Sequence, residues 1–369
     1  MIWTRRSATR LLALSLVALA ALGSAGCATK PGVIFPPLAN APAWPPPPDE
    51  ARIRYVGELQ TSIDLKPGVS GLDALGQAIF GKGDTHTMLS PVAVCTEGTD
   101  APHAPGEETG RVFVADSNAQ LVHVFDLHTR KYASWQPPRG QPPFSQPVGI
   151  AWDPARQRLL VSDSVDATIV LFDHDGKYLG RFGQDILQRP VGVAVDTHDR
   201  ILVLDTKLHQ LLIFSPEGNL LSRVGKRGNG PGQFNFPTNL TLDRQGRVYV
   251  SDSLNFRIQQ FDAELQFVRQ IGRKGDLPGY FSQPKGVTTD SEGHLYVIDA
   301  NFENIQLFDP DGQVLMDFGE EGHGRGQFWL PVGLWMDGLD RLWVADSYNR
   351  RIQVFDYRKA PPAPAETQP

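Results

Sequence analysis

Short apolar runs of about five residues, separated by Gly, Asp, Pro and Asn, follow one another from about residue 90 to residue 357. Six of these runs end in an aspartate, which a turn and a second apolar run follow. The aspartates are Asp116, Asp163, Asp205, Asp252, Asp299 and Asp346. The last four are evenly spaced, because 205 to 252, 252 to 299 and 299 to 346 are 47 residues each. The pattern predicts an array of repeats built from short strands.

Each of the last four repeats also has a proline 15 residues before its aspartate. These prolines are Pro190, Pro237, Pro284 and Pro331. Within the last repeat, Pro331–Asp337, Arg341–Asp346 and Asn349–Asp356 predict three strands, and Lys177–Gly183 shows the fourth strand of an earlier repeat. Four strands per unit are typical of a propeller blade, which cannot bury both faces of its sheet without neighbouring blades.

The sequences of these repeats resemble those of the NHL family. The match is strongest in Pro237 to Asp262 and in Pro331 to Asp356, which contain Asn255 with Arg257 and Asn349 with Arg351. Blades 1, 2, 3 and 5 depart from this Asn-x-Arg pattern, so a role implied for the arginine applies to blades 4 and 6. The resemblance covers about residues 90 to 357 and implies interaction more often than catalysis.

The sixth repeat stops at Asp356 without an outer strand, whereas an orphan strand, Arg52–Leu59, precedes the first repeat. We predict that this strand completes blade 6, because joining the two ends removes an exposed sheet edge. The expected fold is all-β: a six-bladed β-propeller of four-stranded antiparallel blades over residues 50–359. One short helix is expected before blade 1, at Ser70–Phe80, where apolar residues recur at helical spacing.

The N-terminus has the pattern of a bacterial secretion signal over residues 1–26. Arg5, Arg6 and Arg10 precede the twelve-residue apolar run Leu11–Leu22, and small residues lead to Cys27. A bilayer needs about 20 apolar residues, so this run is too short to span one. The context resembles a lipobox, which implies a lipoprotein acylated at Cys27. Ser24 departs from the usual leucine, so cleavage without acylation is the alternative.

The remaining ends of the chain carry little predicted structure. Residues 27–49 are proline-rich and are expected to form an extended spacer outside the core, which would hold the propeller away from a membrane. Residues 360–369 are expected to be a disordered tail. Ala28 follows Cys27 and favours an outer-membrane protein facing the periplasm.

Charge and cysteine content exclude some classes of function. Loss of Arg5, Arg6 and Arg10 with the signal changes the formal charge from −6 to −9. Such an acidic chain is not expected to bind nucleic acid, which requires clustered cations. The cysteines are Cys27 and Cys95. A buried, inert thiol is expected at Cys95, which lies in an apolar strand.

The candidate chemistry is sparse, and no catalytic residue or metal site is predicted. The six repeated aspartates are expected to be structural hydrogen-bond acceptors in turns. At the channel, where calcium lactonases carry several oxygen ligands, the sequence offers Asn239 alone. His209 and His323 are remote candidates for zinc ligands. Trp329 and Trp335 break the repeat pattern and are expected in the core, with an aromatic binding surface as the alternative.

Basic residues are concentrated in blades 3 to 5. The candidate ligand-binding residues are Lys226, Arg227, Asn239, Arg273, Lys274 and Lys285. A basic patch would favour an anionic ligand, such as an acidic glycan, a lipid phosphate or an acidic protein; the alternative is a solvated rim balanced by nearby acids.

The sequence therefore predicts a membrane-anchored, extracytoplasmic binding or assembly scaffold without cofactor. Its partner is expected to be an envelope protein or an anionic glycan or lipid. The first alternative is a divalent-metal hydrolase or lyase at the channel mouth, using Ca or Zn with Asn239 as a partial ligand. The second is a passive structural lipoprotein.

Overall fold

A computed structural model describes residues 32–66, 85–98 and 110–359. The predicted secretion signal, the acylation of Cys27, the helix at Ser70–Phe80 and the tail at 360–369 lie outside the described residues. In the described part, no helix is long and apolar enough to cross a membrane.

Twenty-five strands are described, and all their pairings are antiparallel. Before the first blade come β1 (Ala43–Trp44), β2 (Ile53–Leu59) and a 3-10 turn (Ser62–Leu65). Blade 1 contains β3 (Pro91–Thr96), β4 (Arg111–Asp116), β5 (Leu121–Asp126) and β6 (Lys131–Trp135). Blade 2 contains β7 (Pro147–Asp153), β8 (Arg158–Asp163), β9 (Thr168–Asp173) and β10 (Tyr178–Phe182). Blade 3 contains β11 (Pro190–Val195), β12 (Ile201–Asp205), β13 (Gln210–Phe214) and β14 (Leu220–Val224).

The second half of the ring repeats this arrangement. Blade 4 contains β15 (Asn239–Leu242), β16 (Val248–Asp252), β17 (Arg257–Phe261) and β18 (Phe267–Ile271). Blade 5 contains β19 (Pro284–Thr289), β20 (Leu295–Asp299), β21 (Asn304–Phe308) and β22 (Val314–Phe318). Blade 6 contains β23 (Pro331–Met336), β24 (Arg341–Asp346) and β25 (Arg351–Tyr357). The predicted six-bladed, all-β propeller is confirmed.

The innermost strands lie against one another around a channel, and the ring closes where β23 contacts β3. Glycine allows this close approach. A Cβ built on Gly149 of β7 would lie 1.8 Å from the carbonyl oxygen of Val191 in the next blade, and one on Gly333 would lie 2.6 Å from that of Val92. Any side chain at these positions would push the neighbouring strand outward, so the small residues set the width of the channel.

The N-terminal strand completes blade 6, as predicted. In β2, Tyr55 pairs with Phe355 of β25, and Leu59 pairs with Ile352. The blade therefore joins residues from both ends of the propeller sequence, and β1 adds a short fifth strand outside β2. This pairing covers the edge that β25 would otherwise expose.

Part of the segment expected to be a spacer belongs to the core. Ile34 and Phe35 are buried, and the ring of Phe35 lies 6.2 Å from that of Trp343. Trp44 packs against Phe318 and Phe355, with ring centroids 5.4 and 6.0 Å apart. An extended, proline-rich chain can still lie along a surface when apolar side chains fix it there. The expectation of a spacer was based on the prolines and did not take account of the apolar residues Ile34, Phe35 and Trp44.

Candidate functional site

One face of the propeller collects the long loops, and we call it the loop face. It consists of the loops before the innermost strands and the turns after the repeated aspartates. The loops before the strands are residues 85–90, 136–146, 183–189, 225–238, 272–283 and 319–330. The antiparallel order of each blade brings both sets to the same end of the channel.

The repeated aspartates hold the loop face in place. All six are buried, and their carboxylates accept hydrogen bonds from backbone N–H groups of the loops. The carboxylate of Asp205, for example, accepts from the N–H groups of Gln188, Arg189 and Leu208 at 2.7, 2.9 and 2.9 Å. The same arrangement recurs at Asp116, Asp163, Asp252, Asp299 and Asp346. These contacts are structural and leave the carboxylates inside the protein.

The Asn-x-Arg arginine of blade 4 is also engaged within the fold. Arg257 Nε donates to Oδ2 of Asp252 at 2.9 Å, and its Nη2 donates to the carbonyl oxygens of Gly230 and Gln233. Asn255 Nδ2 donates to the carbonyl oxygen of Gly228 at 2.8 Å. Arg351 and Asn349 make the equivalent bonds in blade 6. These side chains therefore fix the glycine-rich loops.

Three glycine-rich loops share one backbone shape and differ in charge. Each forms a parallel bridge to the following phenylalanine: Arg227 to Phe234, Lys274 to Phe281 and Glu321 to Phe328. The two residues between the glycines are Lys226-Arg227, Arg273-Lys274 and Glu320-Glu321. The loops that enter blades 4 and 5 thus carry two cations each, and the loop that enters blade 6 carries two carboxylates.

The four loop cations are exposed, and aromatic rings support two of them. The guanidinium of Arg273 lies over the ring of Tyr280, 4.3 Å from its centroid, and also donates to the Tyr280 hydroxyl. Lys274 Nζ lies 5.1 Å from the ring centroid of Phe256. Such cation–π contacts orient the charges and leave them accessible to an anion.

Large apolar side chains are exposed on the same face. Phe236 and Leu254 of blade 4 are 39% and 48% exposed, and Trp329 and Tyr348 of blade 6 are 41% and 55% exposed. The rings of Trp329 and Tyr348 lie 5.3 Å apart, edge to face. The expectation that Trp329 packs in the core is therefore wrong, because its loop holds it over the surface. Contiguous exposed apolar groups mark interaction surfaces.

The histidines considered as zinc ligands do not converge. His209 is buried, and its Nδ1 accepts the backbone N–H of Phe236 at 3.1 Å. Burial, followed by the nearby charge of Arg227, lowers the pKa of His209 and so favours the neutral imidazole. His323 lies beside Trp329 and Asn349. Within residues 32–66, 85–98 and 110–359, no group of three or more His, Cys, Asp or Glu side chains could hold a metal.

Cys95 lies fully buried in the core between blades 1 and 2. Its burial raises the pKa of the thiol, so the thiolate that would react is strongly disfavoured.

The remaining two candidates lie in the channel. Asn239 and Lys285 line a cavity of about 590 Å³, apart from the four loop cations. The structure thus divides the six candidates into an exposed basic patch, formed by Lys226, Arg227, Arg273 and Lys274, and a channel pair. Sequence reasoning missed Arg189, which also lines the channel. Its place directly before the innermost strand of blade 3 was the available signal.

The chain is similar in sequence to propeller families. Residues 328–355 match the NHL repeat, and residues 184–272 match a family described as 6-bladed beta-propeller. Protein brain tumor of Drosophila melanogaster is 29% identical over 116 residues, which are 31% of this chain and 11% of the fly protein. The similarity therefore spans about a tenth of that relative.

Two solved structures share the fold. An auxiliary nutrient binding protein from Bacteroides thetaiotaomicron superposes with a TM-score of 0.56 at 11% identity, over 74% of this chain and 70% of that one. Virginiamycin B lyase from Staphylococcus aureus superposes with a TM-score of 0.53 at 13% identity, over 73% and 96%. These findings show a six-bladed β-propeller fold in which residues 328–355 match the NHL repeat and residues 184–272 match the 6-bladed beta-propeller family.

Proposed function

We propose that this propeller is a binding scaffold that takes an anionic envelope ligand or partner protein through the loop face of blades 4 and 5. The observation that carries the proposal is the basic patch of Lys226, Arg227, Arg273 and Lys274, presented by two equivalent loops of a chain with net charge −6. A cluster of like charge on an oppositely charged protein attracts an anionic partner.

The apolar groups beside the patch support contact with a large partner. Phe236 and Leu254 are exposed in blade 4, near the loops that carry the cations. Cations surrounding exposed apolar side chains are common at protein interfaces, where the apolar groups supply affinity and the charges steer association. The fold similarity to a nutrient binding protein agrees with a role in binding.

The scaffold is further proposed to be an extracytoplasmic lipoprotein anchored through Cys27, in the outer membrane and facing the periplasm. This part rests on the sequence of residues 1–28. Metabolic labelling with a palmitate analogue tests it: wild-type protein should incorporate the label and Cys27→Ala should not. Label retained by Cys27→Ala, or absent from both, would contradict the anchor.

A charge reversal tests the basic patch. We expect the variant with Lys226→Glu, Arg227→Glu, Arg273→Glu and Lys274→Glu to bind an acidic polysaccharide, polygalacturonate, at least about tenfold more weakly than wild type at low salt. Capture of envelope proteins by the immobilised propeller is also compared between wild type and this variant. Arg244→Glu is the control, because Arg244 is exposed in the turn after β15, at the opposite end of the channel. An equal loss of polygalacturonate affinity in the charge-reversal variant and in Arg244→Glu, or no loss in either, would contradict the role of the basic patch.

The metal-dependent hydrolase or lyase gains no support from the donor atoms. Asn239 Oδ1, the expected ligand, accepts the backbone N–H of Leu240 at 2.7 Å. Within the part of the chain that the structure describes, the channel lining includes no Asp, Glu, His or Cys, whereas calcium requires about six to eight oxygen ligands.

A further inference from the structure

The central channel has the size and composition of a small-molecule site. Its volume of about 590 Å³ lies within the range of roughly 300 to 1,000 Å³ of ligand pockets. Valine, alanine, leucine and glycine from the innermost strands form most of its wall, together with Trp152 and Trp335. Such a wall favours a ligand with an apolar body.

Among the described residues, the charges that line the channel have one sign. Arg189 and Lys285 are the charged residues of this part of the lining, and both are cations. No Asp or Glu of the described ranges lines this cavity, although the whole chain has a net charge of −6. A narrow cleft with walls of low dielectric concentrates this field. The channel therefore favours an anion over a neutral or cationic molecule.

Lys285 stands at a position where the other blades carry uncharged residues. Those residues are Val92, Val148, Val191, Thr238 and Val332. Burial lowers the pKa of the Lys285 ammonium, and Lys285 makes no hydrogen bond or ion pair with the described residues. A partly buried ammonium without a partner is costly, because it has lost water without gaining a counter-charge.

A hydrogen-bond donor lies on the neighbouring strand. Asn239 of β15, which contacts β19, stands where blades 2, 3, 5 and 6 have glycine. Its Oδ1 accepts the N–H of Leu240, whereas its Nδ2 has no partner among the described residues. The side-chain amide thus retains its donor side. The hydroxyl of Thr238 is already paired with that of Ser253, at 2.6 Å.

We propose that the channel binds a small amphiphilic carboxylate, whose head group pairs with Lys285 and accepts a hydrogen bond from Asn239 Nδ2. Its apolar body lies along the valine-rich wall of the innermost strands. One ammonium and one amide donor match the charge and the two oxygens of a monocarboxylate. Arg189 supplies a second positive charge at the loop-face end.

This site goes beyond the proposed scaffold and does not depend on it. The charged groups of the scaffold are Lys226, Arg227, Arg273 and Lys274, none of which lines the channel, whereas its apolar groups Phe236 and Leu254 border both surfaces. Charge reversal in the loops should therefore leave carboxylate binding unchanged, and changes in the channel should leave polygalacturonate binding unchanged. Failure of one proposal is thus distinguishable from failure of the other.

Calorimetric titration with octanoate and its neutral analogue octanamide tests the site. We expect saturable binding of octanoate by wild type and binding of octanamide that is weaker by about tenfold or more. Lys285→Met should lose about tenfold or more in octanoate affinity, because methionine keeps the length of the side chain without its charge. Asn239→Leu should weaken binding less. Lys177→Met, which removes an exposed lysine outside the channel and outside the basic patch, should bind octanoate like wild type.

Each contrary result overturns the proposal. Equal affinity for octanoate and octanamide would show an apolar channel without a head-group site. Octanoate binding that survives Lys285→Met would place the anion elsewhere. No saturable binding of octanoate, hexanoate or phenylbutyrate by wild type would exclude the site. Circular dichroism and the melting temperature establish that each variant is folded, and Asn239→Leu provides an independent change if Lys285→Met is not.

Discussion

His294 Nδ1 lies 2.8 Å from Oδ2 of Asp290, in the turn where blades 3, 4 and 6 carry an arginine. In those blades, Arg200, Arg247 and Arg341 donate through Nε to the aspartate four residues earlier. Blade 5 therefore has a titratable cation where the other three have a permanent one. The hydrogen bond to Asp290 raises the pKa of His294, and the charges of Asp290, Glu292 and Asp309 act in the same direction.

The pair should make stability depend on pH. Because the pKa is raised in the folded state, the contribution of His294 is fully present below the unfolded value of about 6.5 and is lost as pH rises through the folded value. Urea unfolding at a series of pH values should show that His294→Arg no longer loses stability in this pH range. Above the folded pKa of His294, the variant should be more stable than wild type by about 1 kcal/mol. Identical pH profiles for the two proteins would contradict the assignment. His174→Arg, in an exposed turn, is the control.

Loss of Arg257 should destabilise the protein strongly. Arg257→Leu would leave the buried carboxylate of Asp252 without its cation and would free the carbonyl oxygens of Gly230 and Gln233. Breaking a buried pair by removing one partner costs about 3 to 5 kcal/mol. Equilibrium unfolding in urea measures the cost. Arg223→Leu is a matched control, because Arg223 is exposed on the outer strand of blade 3. A similar, small effect of both changes would contradict the role of Arg257.

Trp44→Ala should destabilise blade 6. The indole packs against Phe318 and Phe355, so its removal leaves a cavity at the outer edge of the last blade. Large-to-small changes of this kind cost about 3 kcal/mol in a core, and this partly buried site should approach that value. Thermal unfolding reports it. Val33→Ala, an exposed position in the same segment, should have little effect. A wild-type melting temperature for Trp44→Ala would restore the idea of a detached spacer.

Lys285→Met should stabilise the protein without ligand. The change removes a partly buried ammonium that has no partner among the described residues and places an apolar side chain in an apolar wall. An unsatisfied buried polar group costs about 1 to 3 kcal/mol, so a gain of about 1 kcal/mol is expected for this partly exposed site. Stability gained on removing a side chain is characteristic of binding sites. A clear loss of stability at neutral pH would show that Lys285 is structural.

The sequence by itself determined the repeat, the number of blades and the closure by Arg52–Leu59. The period and the alternation of apolar residues indicate which side chains face a neighbouring sheet. Every blade must bury these side chains in the same way, so the pattern recurs along the chain. The sequence also indicated that Asp205 and its equivalents, at the ends of strands, accept hydrogen bonds in the turns that follow. The repeat and its aspartates are local features, because each repeat has the same packing requirement. The closure is not local, and it was inferred from the outer strand that the sixth repeat lacks.

Only the tertiary structure decided which departures from the repeat matter. It brought Lys285 and Asn239 from different blades to one channel, left Lys226 and Arg273 on the surface, and exposed Trp329. It also placed Phe35 and Trp44 against blade 6. These outcomes depend on contacts between residues distant in sequence. The periodicity of the sequence does not show which side chains of different blades lie close together.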